Sequence, residues 1–187
     1  MTALVVDASV AAKWFLPEEG ADGTWLEVRG DRIVMGPDDP IRPARAALDA
    51  LPRVPAPHAS RRILVSGFLG READRARAVS GAGLDGVLGS ATPGSLYPLM
   101  ASGYLTGALF HTPNVYDFPV CMHVARALGG DAVWVHDGKR VDFRRTWRDE
   151  RANMFRLPGI VACASDRRAL FMLVEVARDW SPERYAR

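Results

Sequence analysis

From residue 63 onward the chain alternates short apolar runs with segments of helical period, and this order constrains its fold more than any other feature. "ILVSGF" (63–68) reads as a strand, "READRARAVSGA" (71–82) as a polar helix and "GVLGS" (86–90) as a short strand. "GSLYPLMASG" (94–103) is a small-residue turn opening a short helix, and "TGALFH" (106–111) is a strand. The spacing then predicts a helix over 118–128, strands over 132–135 and 159–165, and an amphipathic closing helix over 166–180. Strands alternating with helices imply an α/β fold, a layered mixed sheet with flanking helices. No repeat and no domain boundary breaks the pattern, so residues 1–187 are expected to form a single domain.

The stretch "YDFPVCMHVARALGGDAVWVHDG" (116–138) has the clearest local grammar. Pro119 falls in a first helical turn, where a missing N–H costs nothing. Val120, Cys121, Val124 and Leu128 recur at helical spacing, and Gly129-Gly130 ends the helix. "AVWV" follows as a strand and Asp137-Gly138 as a turn. Asp117 therefore marks a helix N-terminus, an electropositive end that favours a carboxylate, and its ordinary role there is an N-cap.

Upstream, "GTWLEVRGDRIVM" (23–35) reads as an antiparallel hairpin around a Gly30-Asp31 turn. "TALVVDA" (2–8) and "AAKWFLP" (11–17) are further short apolar runs, a short helix is expected at 43–51, and 52–62 is a proline-containing surface connection. Lys139, Arg140, Arg144, Arg145, Arg148 and Arg151 fall in a segment expected to be a solvated loop or helix face.

Composition excludes several classes. Hydrophobic content of 48% and charged content of 25% are those of an ordinary globular domain. A net charge of +2 gives no general steer toward nucleic acid or acidic membranes. No apolar stretch reaches spanning length, and the N-terminus lacks a basic region and meets Asp7 at once, so it reads as a strand and not a signal peptide. Cys121 and Cys163 both lie in apolar runs, which suits two buried free thiols in a reducing cytoplasm. His111, His123 and His136 share no metal-ligand spacing, and Ser95 and Ser102 have no base nearby in sequence.

Two resemblances go further. "AAKWFLPEEGADGTWLEVRGDRI" is similar to the hairpin segment of the inositol monophosphatase superfamily, Mg²⁺-dependent phosphomonoesterases of sugar, inositol or nucleotide phosphates. "GSLYPLMASGYLTGALFHTPNVYDFPVCMHVARALGG" resembles the C-terminal signature of that family, and "HDGK" and "LPGIVACAS" resemble its turn and final strand. The likeness implies the C-terminal part of that family's sandwich, preceded by the antiparallel hairpin. It further implies Asp117 as a ligand of Mg²⁺ and Gly94 and Ser95 as contacts to a phosphorylated substrate. Tyr116 stands for the family's Trp, Ala127 for a Glu, and the acid that contacts substrate hydroxyls falls near Phe110. The family's Glu-Glu and Asp-Pro-x-Asp-Gly-Thr ligand motifs have no counterpart here, since "EEGADGT" (18–24) is too compact to be both. The chain is therefore expected to be a truncated, split or degenerate phosphatase relative. Residues 3–35, with Leu4, Val6, Trp14, Phe15 and Trp25, are then expected to mediate self-association or to bind a second chain. Alternatively, "VVDASVAAKWFLPEE" (5–19) resembles the opening of PIN-domain ribonucleases of the toxin type. That likeness implies Asp7, with Asp117 and Asp137, as carboxylates for a Mg²⁺-dependent nuclease. A non-catalytic binding module is the remaining reading.

Overall fold

The computed structural model describes residues 24–29, 32–37, 60–93 and 96–185; in the first two segments the description is of the backbone. These form two antiparallel hairpins and a five-stranded mixed sheet with four helices. β1 (Thr24–Arg29) pairs with β2 (Arg32–Pro37), the hairpin expected around Gly30-Asp31. The main sheet is built from β3 (Arg62–Ser66), β4 (Asp85–Leu88), β5 (Gly107–His111), β6 (Asp131–Trp134) and β9 (Ile160–Ala164). Its order is β4-β3-β5-β9-β6, with β9 running against β5 and β6 while β3 is parallel to β4 and β5. The mixed sheet of 63–68, 106–111, 132–135 and 159–164 is thus present, with β4 added at one edge.

Side-chain alternation divides the core into two layers. Leu64, Ala108, Ala132, Val161 and Cys163 pack with α2 (Leu96–Ala101) and α3 (Phe118–Ala127) around Met100, Phe118, Cys121 and Val124. Ile63, Val65, Leu109, Val133 and Ala162 face the opposite way, onto α1 (Glu72–Gly81) and α4 (Arg167–Ala177), with Val79, Leu170 and Leu173. Burial on both faces explains why these strands read as continuous apolar runs. The β1–β2 backbone lies beside α3, and β1 also beside α2.

The segment expected to be a solvated loop or helix face contains a hairpin instead, β7 (Trp147–Asp149) with β8 (Met154–Arg156). Its charged residues masked it in the sequence. Asp149 and Arg156 are buried, and their carboxylate and guanidinium satisfy each other at 2.6 Å. Cys121 and Cys163 are buried free thiols with sulfurs 3.5 Å apart. Among the described residues no helix is long and apolar enough to cross a membrane. Asp7, Gly94, Ser95, the helix expected at 43–51 and the side chains of Leu4, Val6, Trp14, Phe15 and Trp25 lie outside the described residues.

Candidate functional site

The connections set where a ligand would sit. The crossover from β3 through α1 to β4 covers one face, and that from β4 through α2 to β5 covers the other. The chain therefore leaves β3 in one direction and enters β5 from the other, and the carboxyl ends of these two strands are the usual ligand position in such sheets. The turn after β5 leads from this edge to α3 and carries Thr112, Asn114, Tyr116 and Asp117.

Asp117 occupies the N-cap position of α3, but its carboxylate makes no capping bond to the helix. The cap expected from the sequence is replaced by a different arrangement. Asn114 Oδ1 accepts the backbone N–H of Tyr116 at 2.9 Å and of Asp117 at 2.7 Å, an Asx-type turn. Its Nδ2 donates to Asp117 Oδ2 at 2.7 Å. The phenol of Tyr97, from α2, is a neighbour of the Asp117 carboxylate. Burial, then the neighbouring Asp117 charge, push the Tyr97 phenol well above its ordinary pKa, so it stays a neutral donor. Asp117 is thus a half-buried carboxylate at an electropositive helix end, with its helix N–H groups left to other partners.

These residues alone do not fit Mg²⁺. The ion asks for near-octahedral oxygen ligands, whereas Asp117 is a single carboxylate that already accepts from Asn114. No group of three or more His, Cys, Asp or Glu side chains converges among the described residues. Asp137 sits in the turn after β6 and pairs with Lys139 at 3.0 Å. Phe110, where the resembled family has an acid, packs edge-on against Phe118 at 5.7 Å.

A second cluster, not foreseen from the sequence, lies on the α4 side of the same edge. The C-terminal strap 181–185 reaches the ends of β3 and β5. Arg184 Nη1 donates to Gly67 O and His111 O at 3.1 Å and to Thr112 Oγ1 at 3.0 Å. Tyr185 OH donates to the Asp149 carboxylate at 2.9 Å. Burial raises the Asp149 pKa, but Arg156, the Tyr185 hydroxyl and the Ala152 N–H outweigh it and hold the carboxyl below its usual range. His111 is buried, and its Nε2–H donates to Ser181 O at 3.1 Å. Sequence periodicity carries no sign of these contacts, since they join residues from 36 to 117 positions apart.

Among the described residues the remaining histidines, His123 and His136, do not assemble a site. His136 is exposed beside Asp137 at 3.6 Å, and His123 Nε2 is buried on α3 without a hydrogen-bond partner among the described residues. Ser102 donates to the Leu99 carbonyl of its own turn. Comparison of the chain with protein-family models, with curated proteins and with solved structures finds no match.

Proposed function

We propose that this chain is a relative of the inositol monophosphatases, with Asp117 in the position of a metal-ligand aspartate and with little hydrolytic activity of its own. The observation that supports this reading is the uncapped carboxylate. An aspartate at a helix start ordinarily bonds its own N–H groups, and Asp117 is instead steadied by Asn114 at the carboxyl edge of the sheet. A phosphorylated sugar, inositol or nucleotide is the substrate class that goes with the reading, and Gly94 and Ser95 are its proposed contacts. Mg²⁺ in this reading needs oxygen ligands from outside the described residues, because one carboxylate does not offset the cost of dehydrating the ion. Those ligands come from other residues of this chain or from a second chain docked on residues 3–35.

Mn²⁺ as a paramagnetic probe tests the first part. Amide resonances of Asn114, Tyr116 and Asp117 should broaden at millimolar ion, and Asp117→Asn should remove the effect. Absence of broadening there in the wild-type chain would overturn the assignment of Asp117. Hydrolysis of inositol phosphates by the isolated chain with Mg²⁺ should stay near the uncatalysed rate. Robust turnover abolished by Asp117→Asn would show a complete ligand set within these residues and would sink the claim of weak activity.

A further inference from the structure

We propose that the open cleft between the C-terminal strap and the carboxyl ends of β5 and β6 binds a planar aromatic ligand carrying an anionic group. The cleft has a volume of about 830 Å³, within the range of small-molecule sites. Thr112, His136, Trp147, Trp180, Arg184 and Tyr185 are among the residues that line it. Asn114, Asp117 and Tyr97 are not, so the site is separate from the one proposed above and stands independently of it.

The charge preference comes from Arg184. The Asp149 carboxylate is already filled by Arg156 Nε at 2.6 Å, the Tyr185 hydroxyl at 2.9 Å and the Ala152 N–H at 3.3 Å. Arg184 is the second guanidinium on that one carboxylate. Its Nε stands 3.5 Å from Asp149 Oδ2, and although buried it makes no hydrogen bond among the described residues. Its Nη1 is spent on three neutral acceptors, and its Nη2 has no bond among the described residues. The side chain is only 10% exposed, so a surplus positive charge is held in a poorly solvated wall of the cleft. Arg178 also lines the cleft but is paired with Glu175, and Arg151 stacks over Tyr185 at 4.2 Å. Glu183 is the one acid on the lining, and Asp149 lies fully buried beneath. A guanidinium so placed favours a phosphate or carboxylate, which it can meet with charge-assisted hydrogen bonds.

The ring preference comes from the aromatics. Trp180 already carries Arg75 over its ring and meets Phe68 edge-on, and Tyr185 carries Arg151. Trp147 is half-buried and has no ring or cation partner among the described residues. Its indole is the stacking surface left for a ligand, since any planar base or aryl group offers a π-face.

Adenosine monophosphate is a suitable probe, because adenosine supplies the ring alone and inorganic phosphate the charge alone. Titration of the full chain should shift the Trp147 indole N–H resonance saturably. Adenosine and phosphate should each bind at least tenfold more weakly, and Trp147→Leu and Arg184→Gln should each weaken the nucleotide at least tenfold. Trp147 is outside the Asp149 network, so its variant decides the matter if loss of Arg184 loosens the strap. The proposal is overturned if the nucleotide leaves Trp147 unshifted, if either half of it binds as well as the whole, or if Trp147→Leu binds it undiminished.

Discussion

At the residue scale two aspartates before helices behave in opposite ways. Asp166 Oδ1 accepts the Ala169 N–H at 2.7 Å and caps α4, whereas Asp117 makes no such bond on α3. Asp166→Ala should therefore cost about 1 kcal/mol in urea unfolding, and Asp117→Asn should lose none of that capping energy. Asp149 is the residue whose loss should matter most. Its removal leaves Arg156 and Arg184 buried side by side, so Asp149→Ala should destabilise the fold by about 3–5 kcal/mol. A variant that melts like the wild type would show that water reaches the pair. His111 gives the fold a pH dependence. Burial lowers its pKa from 6.5, Arg184, Arg71 and Arg75 lower it further, and the Ser181 carbonyl opposes them. The unfolded chain then takes up the proton more readily than the native one. This contribution is complete above pH 6.5 and is lost as pH falls from there through the lowered native value. Asp131 and Asp149, lowered from 3.8, act only at more acid pH. Thermal midpoints should decline below pH 6.5, and His111→Gln should remove that part of the decline.

At the element scale the double glycine after α3 does two separate jobs. Gly129 takes a φ of +97° and turns the chain out of the helix, with open space where a side chain would be. Gly130 is there for proximity, because a Cβ on it would come within 1.8 Å of the Ala164 carbonyl at the end of β9. Gly129→Ala should cost roughly 1–2 kcal/mol from backbone strain. Gly130→Ala should cost more than Gly129→Ala, at or above the upper end of the roughly 1–3 kcal/mol range for overpacking, because β9 has to move. Equal melting shifts for the two variants would mean that β9 yields easily. The sequence marked both glycines as a helix stop and could not assign the second to packing, since its partner lies in a strand more than thirty positions away.

For the whole molecule, the two-layer division of the core leaves α2 and α3 on the face against which the first hairpin lies. The proposed association through residues 3–35 takes in this hairpin. Sedimentation at tens of micromolar should show a species larger than one chain, and deletion of residues 3–35 should return it to a monomer. A monodisperse full-length monomer whose tryptophans resist a collisional quencher would overturn the proposal. Exposed Tyr116 and Phe155 stand near the turn that carries Asp117, so a partner bound there would reach the candidate site as well.

The sequence by itself determined the elements of the main sheet and their order. Hydrophobic period and turn residues are local, and runs such as "ILVSGF", "TGALFH" and "GIVACAS" are buried on both faces whatever else the chain does. It also marked Asp117 as a helix start. Tertiary structure alone decided that β9 enters antiparallel between β5 and β6, because strand order depends on pairing energies between distant segments. It decided too that Asp117 leaves its helix uncapped for Asn114, and that a charged stretch buries an ion pair as a hairpin. The same holds for Arg184, which the fold carries across the sheet edge to His111 and Thr112. A guanidinium's partners are set by where the backbone brings it, and no period in the sequence encodes that meeting.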